Sequence, residues 1–334
     1  MSDIKLAKQT YASSQEVKWC SGCGDYSVLK QAQLALLDLG LESEDVVFVS
    51  GIGCSSRFPY YLNTYGYHTI HGRGIAVATG VKSQNPDLSV WVTVGDGDAM
   101  SIGGNHFIHA IKRNIDMVCI LMDNRIYGLT KGQISPTSEK GKITKTTPYG
   151  SLEDPLNPVQ LALGAGGTFV ARSTDRDQKL LRKLLVDAHD HKGFSLVHIL
   201  QNCLIFNDAT FEPYVGKEKA ENTVILEHGE PMIFGKESDK AIILDNLTPK
   251  VVAVADVSPE QILRHNAHDE NSLIPQVIAS LPMGEFPMPM GIIRAVEKES
   301  YDDALQNQMD EQVAAKGAGD LQALLTGRDT WTIS

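Results

Sequence analysis

The sequence has few cysteines, no long apolar run and no block of basic residues. Its longest unbroken apolar run, residues 117–122, is far shorter than the roughly 20 residues that a membrane-spanning helix needs. Its beginning, MSDIKLAKQTYASSQE, lacks the apolar core of a secretory signal, which predicts a cytoplasmic protein. The 5 cysteines are too few and too scattered for a disulfide framework in a chain of 334 residues. A membrane protein and a disulfide-stapled secreted domain are therefore not expected.

Charge and composition narrow the class further. Lysine and arginine total 30 against 41 aspartates and glutamates, which gives a formal net charge of −11. Without a basic cluster, such a chain is not expected to bind nucleic acid. Apolar residues make up 42% and charged residues 21%, which are ordinary values for a globular protein. At about 150 residues per domain, the length predicts two domains, or one large domain with an appendage.

Strand-like and helix-like segments alternate over the first 205 residues. Five short runs rich in valine, isoleucine and phenylalanine are predicted to be strands: 46–50, 88–94, 116–122, 167–172 and 194–200. Helix-like stretches lie at about 26–39, 72–84, 103–113 and 175–191. This alternation predicts an α/β fold, a doubly wound and mostly parallel sheet with helices on both faces. Ligands of such folds bind in the loops at the carboxyl ends of the strands.

The pattern changes near residue 207, beyond which the sequence is polar and rich in turn residues. We expect residues 1–207 to form the domain that carries the chemistry. Residues 208–334 are expected to form a smaller, irregular α+β appendage for packing or subunit contact. A hairpin is predicted around 229–231, and an amphipathic helix over 297–316. The apolar stripe of that helix consists of Tyr301, Leu305, Met309 and Val313.

The segment VTVGDGD has the pattern of a strand that ends in a Gly-Asp-Gly turn before a helix. Gly95 and Gly97 allow the backbone to turn tightly and approach a ligand, and the start of the following helix suits a phosphate group. Asp96 would repel that phosphate unless a cation such as Mg²⁺ joined the two. Asn124, at the end of the next strand, would be a second oxygen ligand, with the backbone carbonyl of Ile126 near the same point. The tripeptide alone also occurs as a plain turn, so the magnesium prediction depends on this whole context.

Four of the five cysteines form a candidate metal-binding set. Cys119 lies in an apolar strand and is expected to be a small buried side chain. The remaining four thiols match the number needed for one [4Fe–4S] cluster or one structural zinc: Cys20, Cys23, Cys54 and Cys203. One Cys-x-x-Cys pair with two isolated cysteines favours a cluster, because zinc sites more often use two compact pairs. Zinc, a thioredoxin-like dithiol and no metal remain alternatives, although no strand precedes Cys20 as a thioredoxin-like motif requires.

Cys54 follows the first predicted strand, at the same edge of the sheet as the Gly-Asp-Gly turn. Each residue of chain spans at most about 3.5 Å, so a cluster bound by Cys54 would lie on the order of 10 Å from a ligand in those loops. That distance suits electron transfer and has no obvious use for zinc.

Four sequence blocks resemble the β subunit of 2-oxoacid:ferredoxin oxidoreductases, most closely the 2-oxoglutarate type. They are WCSGCGDYSVL, GIGCSSRFPYYLNTYGYHTIHGRG, GDGDAMSIGGNHFIHAIKRNID and DNRIYGLTKGQ. The resemblance covers about residues 15–210, with a weaker match towards the C-terminus. A Gly-Asp-Gly turn followed at this distance by asparagine is also the pattern of thiamine diphosphate enzymes. The chain lacks the extra ferredoxin-like cysteine run of the long fused pyruvate enzymes, which implies the short-subunit form with one cluster.

The resemblance implies functional residues at the matching positions. The implied [4Fe–4S] ligands are Cys20, Cys23, Cys54 and Cys203. The implied Mg²⁺ ligands are Asp96, Asn124 and the carbonyl of Ile126. The residues implied to surround thiamine diphosphate are Ile52, Gly53, Cys54, Ser55, His71, Gly97, Asp98, Gly128 and Leu129.

Several side chains near these blocks have both a functional and a plain interpretation. Arg57, just past the cluster loop, is a candidate catalytic residue that would bind a substrate carboxylate in bidentate fashion, or it is an exposed arginine. His71 is the second candidate, as a cofactor or substrate contact, or it is a structural histidine. Lys131 is either a substrate contact or a surface lysine, and His68 is expected to be structural. Asp98 could cap the helix after the turn and still lie beside the cofactor.

The resemblance implies that 2-oxoglutarate, CoA and oxidised ferredoxin give succinyl-CoA, CO₂ and reduced ferredoxin. Strongly reducing ferredoxin would allow the reverse, CO₂-fixing direction. Thiamine diphosphate, Mg²⁺ and one [4Fe–4S] cluster are the implied cofactors. A pyruvate or branched-chain 2-oxoacid enzyme is one alternative, and a non-catalytic, zinc-stabilised nucleotide-binding module is another.

A second polypeptide is also implied. Thiamine enzymes generally place a glutamate from a separate domain of similar fold at the aminopyrimidine end of the cofactor. Residues 1–207 supply one such domain, and residues 208–334 show no second strand–helix series. We therefore expect an obligate α subunit, in an αβ heterodimer or its dimer, with ferredoxin as the electron acceptor.

Overall fold

The computed structural model describes residues 3–331 and 333. Its helices are α1 (Asp3–Tyr11), α2 (Asp25–Leu39), α3 (Phe58–Tyr61), α4 (Gly74–Gln84), α5 (Asp96–Met100), α6 (Gly104–Arg113), α7 (Pro158–Gly164), α8 (Gln178–Asp190), α9 (Glu212–Val215), α10 (Lys219–Asn222), α11 (Leu273–Ala279), α12 (Tyr301–Lys316) and α13 (Leu321–Thr326). Its strands are β1 (Val46–Ser50), β2 (Tyr65–His68), β3 (Ser89–Gly95), β4 (Met117–Asp123), β5 (Phe169–Thr174), β6 (Phe194–Leu200), β7 (Thr223–Leu226), β8 (Ile233–Phe234), β9 (Lys240–Asp245), β10 (Thr248–Ala253) and β11 (Met288–Ala295). Within the described residues, every helix is too short or too polar to span a bilayer.

Eight strands form one sheet in the order β2-β1-β3-β4-β6-β5-β11-β7. All neighbours run parallel except β5 and β11, which are antiparallel. The five predicted strands are β1, β3, β4, β5 and β6, and the four predicted helices are α2, α4, α6 and α8. The predicted α/β fold with a mostly parallel sheet is therefore confirmed.

Two apolar clusters cover the two faces of this sheet. Along β4, Cys119 and Leu121 belong to one cluster, whereas Val118, Ile120 and Met122 belong to the other. Helices α4, α6 and α7 pack on the first face, and α2 and α8 on the second. Because both faces are buried, the strands are continuous apolar runs, and this made them visible in the sequence. Cys119 is fully buried, as expected.

Three strands of the main sheet were not predicted. Strand β2 is a four-residue edge strand, Tyr-Gly-Tyr-His, and three of its residues are exposed, so it carries no apolar signal. Strands β7 and β11 come from the C-terminal side of residue 207 and join the sheet next to β5. The division into 1–207 and 208–334 remains a prediction, although strands from both sides share one sheet.

The C-terminal third differs from expectation in two details. The predicted hairpin at 229–231 is wrong, because β7 pairs with β11 and β8 pairs with β9. The hairpin instead joins β9 and β10, and its turn residues Asn246 and Leu247 both have positive φ. The predicted helix begins at Tyr301, but its apolar stripe faces solvent, since Met309 and Val313 are 47% and 53% exposed.

Candidate active site

A cavity of about 620 Å³ opens at the carboxyl ends of β1, β3 and β4. Its walls are formed by the loops after β1 and β4, by the start of α5, which follows β3 directly, and by the segment that precedes α4. Every residue implied to bind thiamine diphosphate or Mg²⁺ lines it: Ile52, Gly53, Cys54, Ser55, His71, Asp96, Gly97, Asp98, Asn124, Ile126, Gly128 and Leu129. Gly95, Tyr127, Thr130, Gln133 and Ile134 complete the lining. The topology thus brings together four segments that are far apart in sequence.

Gly97 lies under the ring of Tyr127. A Cβ atom at position 97 would be only 2.2 Å from Tyr127 Cε1, a distance that no side chain tolerates. The Tyr127 hydroxyl also donates a hydrogen bond of 3.1 Å to the carbonyl of Gly97. Glycine at this turn is therefore required by the close approach of Tyr127.

Asp98 joins three segments of the cavity wall. Its Oδ1 accepts hydrogen bonds from the backbone N–H of Ile52 (3.2 Å), from the backbone N–H of Gly72 (2.7 Å) and from His71 Nδ1 (2.7 Å). Its Oδ2 is buried and has no hydrogen-bond partner. Asp98 therefore ties these segments together and lines the cavity; the sequence allowed it both to cap the helix after the turn and to lie beside the cofactor. Burial raises the pKa of Asp98 despite the hydrogen bonds from these donors.

Asp96 and Asn124 face the cavity from neighbouring strand ends. Asp96 is 2% exposed, and its Oδ2 accepts a hydrogen bond of 2.7 Å from Thr137 Oγ1. Asn124 Oδ1 accepts a hydrogen bond from the Ile126 backbone N–H, and its Nδ2 donates to Gln201 Oε1. Burial, reinforced by the charge of nearby Asp123, raises the pKa of Asp96 to about 7. A buried carboxyl of this kind ionises readily only beside a cation.

A buried polar network behind Asp96 was not foreseen from the sequence. Thr137 Oγ1 lies 2.7 Å from Asp123 Oδ1 as well as from Asp96. Asp123 Oδ2 accepts a hydrogen bond from His198 Nε2 (2.9 Å), and His198 Nδ1 accepts one from Arg172 Nε (3.2 Å). Burial opposes ionisation of Asp123, but the hydrogen bond from His198 and the charge of Arg125 outweigh it and hold the pKa of Asp123 low. These residues lie in strands and in an irregular loop, where no motif marks them.

Two of the four predicted cluster cysteines lie at the cavity: Cys54 lines it, and Cys203 Sγ would be 3.4 Å from a Cβ atom at the lining residue Gly128. The charges of Cys203 and Cys20 contribute to the raised pKa of Cys54, and the charge of Cys54 contributes to the raised pKa of Cys23, so Cys54 is within electrostatic range of the other three. Burial, with the added effect of Asp25 and of the neighbouring thiols, raises the pKa of Cys54 to about 11. Because Cys54 lines the cavity, it belongs to both predicted sites. In the part of the chain that the structure describes, no three His, Cys, Asp or Glu side chains are close enough to hold a single metal ion.

Arg57, Lys131 and His68 lie near the cavity but do not line it. Arg57 Nη1 donates a hydrogen bond of 3.1 Å to the carbonyl of Lys18, and its charge acts on Cys54. Lys131 is exposed and has φ of 75°, an unusual value for a residue other than glycine. His68 Nδ1 is hydrogen-bonded to Ser50 Oγ at 2.9 Å, which fits the structural role expected for it.

Comparison with known proteins agrees with this geometry. Residues 51–199 match the family model described as "Thiamine pyrophosphate enzyme, C-terminal TPP binding domain". The 2-oxoglutarate oxidoreductase subunit KorB of Mycobacterium tuberculosis is 50% identical over 327 residues, which is 97% of this chain and 87% of that protein. The 2-oxoacid:ferredoxin oxidoreductase subunit beta of a Sulfolobus species is 48% identical over 60% of this chain and 66% of its own length. The chain belongs to the 2-oxoacid:ferredoxin oxidoreductase β subunits.

A solved structure of this family is also similar. It is the 2-oxoglutarate:ferredoxin oxidoreductase from Magnetococcus marinus with 2-oxoglutarate, coenzyme A and succinyl-CoA bound. The match has a TM-score of 0.74 and 33% identity, and it covers 95% of this chain and 94% of the other. The match therefore extends over the residues of the family model and over most of the C-terminal third.

Proposed function

We propose that this β subunit serves a 2-oxoglutarate:ferredoxin oxidoreductase that uses thiamine diphosphate, Mg²⁺ and one [4Fe–4S] cluster. In the forward reaction, 2-oxoglutarate, CoA and two oxidised one-electron ferredoxins give succinyl-CoA, CO₂, two reduced ferredoxins and a proton. Strongly reducing ferredoxin would drive the same reaction towards CO₂ fixation. The two relatives of the 2-oxoglutarate type described above support this substrate, with pyruvate and branched-chain 2-oxoacids as the competing choices.

The cavity at the ends of β1, β3 and β4 is the observation that carries the proposal. Glycine turns and backbone N–H groups suit a diphosphate, and a cation between diphosphate and Asp96 would compensate the buried carboxylate. We assign Asp96, Asn124 and the carbonyl of Ile126 as the residues that would hold Mg²⁺. Bound thiamine diphosphate would supply the electron sink for loss of CO₂. The protein's own part is to orient the cofactor and exclude water.

His71 is the candidate within the cavity for contact with substrate or cofactor. The His71 side chain is 40% exposed, whereas the side chain of Asp98 is 1% exposed. Asp98 Oδ1 is hydrogen-bonded to His71 Nδ1. This pairing fixes the ring and leaves Nε2 as the nitrogen that can reach a ligand. Arg57 and Lys131, which lie outside the lining, are the nearby cations that would attract an anionic 2-oxoacid to a chain with a net charge of −11.

The four grouped thiols are proposed to bind the [4Fe–4S] cluster. Each ligand of such a cluster binds a different iron, so its sulfur atoms lie further apart than around a single zinc ion. The charges of Cys203 and Cys20 contribute to the raised pKa of Cys54, which supports a shared site for these thiols. Burial raises the pKa of Cys203, but the nearby backbone N–H groups of Phe206, Ile205 and Asn207 act in the opposite direction and would favour a thiolate there. A bound cluster would accept electrons one at a time and pass them towards ferredoxin.

An α subunit is proposed to complete the active site. Ile52 and Leu129 line the cavity yet remain 43% exposed, and Ile70 and Ile102 nearby are 72% and 52% exposed. Among the described residues, none that lines the cavity is a glutamate, the residue expected at the aminopyrimidine end. A partner of similar fold would cover this apolar surface and supply the glutamate. The non-catalytic zinc module does not fit, because the relatives are oxidoreductase subunits.

Ferredoxin reduction by the co-expressed αβ complex tests the proposal. We expect 2-oxoglutarate to support CoA-dependent reduction faster than pyruvate or a branched-chain 2-oxoacid, with thiamine diphosphate and Mg²⁺ present. The isolated β chain, reconstituted with cluster, Mg²⁺ and thiamine diphosphate, should reduce no ferredoxin. Faster turnover of pyruvate would contradict the substrate, and turnover by the β chain alone would contradict the need for α.

A further inference from the structure

Thr137 connects the predicted magnesium ligand Asp96 to the buried polar network behind it. Its hydroxyl lies 2.7 Å from Asp96 Oδ2 and 2.7 Å from Asp123 Oδ1. All three residues are at most 2% exposed, so water does not compete for these contacts. The Oδ2 atom of Asp96 is thus hydrogen-bonded to Thr137, which leaves Oδ1 as the oxygen available to a cation in the cavity.

The protonation pattern of the network follows from its donors. Arg172 is an obligatory donor, so His198 Nδ1 accepts its hydrogen bond and the proton of the imidazole is on Nε2. His198 Nε2–H then donates to Asp123, which also accepts from the Arg125 backbone N–H at 3.1 Å. Thr137 has a single hydroxyl proton and two carboxylate acceptors at the same distance, Asp96 Oδ2 and Asp123 Oδ1, so its hydroxyl joins the two carboxyl groups and fixes the position of Asp96 Oδ2.

Thr137 also belongs to the loop that forms one wall of the cavity. This loop runs between β4 and α7 without regular structure, and its residues Thr130, Gln133 and Ile134 line the cavity. Next to Thr137, Ser138 Oγ donates to the Arg125 carbonyl at 2.6 Å and accepts from the Ser135 backbone N–H at 2.8 Å. The loop is therefore anchored to the end of β4 at the position of Thr137.

We propose that Thr137, backed by Asp123, His198 and Arg172, is a positioning residue that orients Asp96 for the cation. This inference rests on the proposed thiamine diphosphate and Mg²⁺ site. When a side chain that is hydrogen-bonded to a metal ligand is removed, the affinity for the metal commonly falls by about 10- to 100-fold. Loss of the Thr137 hydroxyl should therefore weaken the binding of Mg²⁺, so that cofactor binding requires more Mg²⁺, without destabilising the fold.

Calorimetric titration of thiamine diphosphate at a series of Mg²⁺ concentrations tests the inference, with the αβ complex stripped of both. Thr137→Val should raise the half-saturating Mg²⁺ concentration by about 10- to 100-fold. Thr137→Ser, which keeps the hydroxyl, should stay near the wild-type value. Thr93→Val is the matched control, because Thr93 Oγ1 is equally buried but has no hydrogen-bond partner. Thr93→Val should leave the Mg²⁺ dependence unchanged.

Asp123→Asn is the second variant, in case Thr137→Val fails to fold by circular dichroism. The asparagine keeps the shape of the side chain but removes the charge beside Thr137. We expect the half-saturating Mg²⁺ concentration for cofactor binding to rise in this variant as well. Wild-type Mg²⁺ dependence in folded Thr137→Val, or in folded Asp123→Asn, would overturn the positioning role. Cofactor binding by the wild-type complex that needs no Mg²⁺ would instead overturn the proposed magnesium site, and this inference with it.

Discussion

His71 and Asp98 form a hydrogen-bonded pair, with 2.7 Å between His71 Nδ1 and Asp98 Oδ1. The same oxygen binds the backbone N–H groups of Ile52 and Gly72. One buried carboxylate therefore sets the positions of the loop after β1, the segment before α4 and the turn after β3. The walls of the cavity are organised before any ligand enters, which lowers the entropic cost of binding one.

Gly97→Ala is predicted to damage the site, whereas Gly80→Ala should be harmless. The new Cβ at position 97 would collide with Tyr127, and overpacking of this kind typically costs about 1–3 kcal/mol. Gly80 lies inside α4 with open space around its Cβ position, so alanine there should stabilise the helix by up to about 1 kcal/mol. Melting temperature and thiamine diphosphate affinity should fall for the first variant and not for the second. If the two variants had the same melting temperature and the same thiamine diphosphate affinity, the close approach of Tyr127 would not exclude a side chain at position 97.

Asp96→Ala is predicted to abolish tight thiamine diphosphate binding, because the diphosphate would lose the cation that joins it to the protein. Calorimetric titration in the presence of Mg²⁺ measures the affinity directly. Asp87→Ala, which removes an exposed carboxylate outside the cavity, is the control and should bind as the wild type does. Unchanged affinity in Asp96→Ala would refute the proposed role of Asp96.

Cys203→Ser is predicted to remove or degrade the cluster, while Cys119→Ser should leave it intact. Cys203 belongs to the grouped thiols, whereas Cys119 is buried within β4 on an apolar face. Iron analysis and anaerobic absorption spectra of the two purified variants distinguish them. Equal iron content would mean that Cys203 is not a ligand or that the iron is held by another subunit.

Arg57→Ala is predicted to raise KM for 2-oxoglutarate more than KM for 2-oxobutyrate, which lacks the distal carboxylate. Loss of a charge-assisted hydrogen bond is worth roughly 1.5–3 kcal/mol, or about a 10- to 150-fold change. Steady-state kinetics of the αβ complex with both substrates provide the comparison. An equal rise would place Arg57 at the shared 2-oxoacid end. A loss of iron with unchanged KM would indicate that its charge serves the neighbouring Cys54.

The sequence predicted those parts of the molecule that depend on local pattern. Strands buried on both faces are continuous apolar runs, so β1, β3, β4, β5 and β6 were visible, whereas the exposed edge strand β2 was not. The strand-end positions of Asp96 and Asn124 followed from the parallel topology. The network behind them did not, because its contacts join residues distant in sequence, 14 positions apart for Thr137 and Asp123 and 75 for Asp123 and His198. Nothing local distinguishes a threonine in an irregular loop that supports a carboxylate from one that faces solvent.

The position of Cys54 limits how the proposed cofactor site and the proposed cluster site can be separated by mutation. Its side chain lines the cavity, and the charges of Cys203 and Cys20 contribute to its raised pKa. Its backbone carbonyl accepts a hydrogen bond of 2.7 Å from Trp19 Nε1. A phenotype produced at this position is ambiguous, since electron transfer and cofactor binding would change together. Cys20 and Cys203, which do not line the cavity, are the informative choices for separating the two activities.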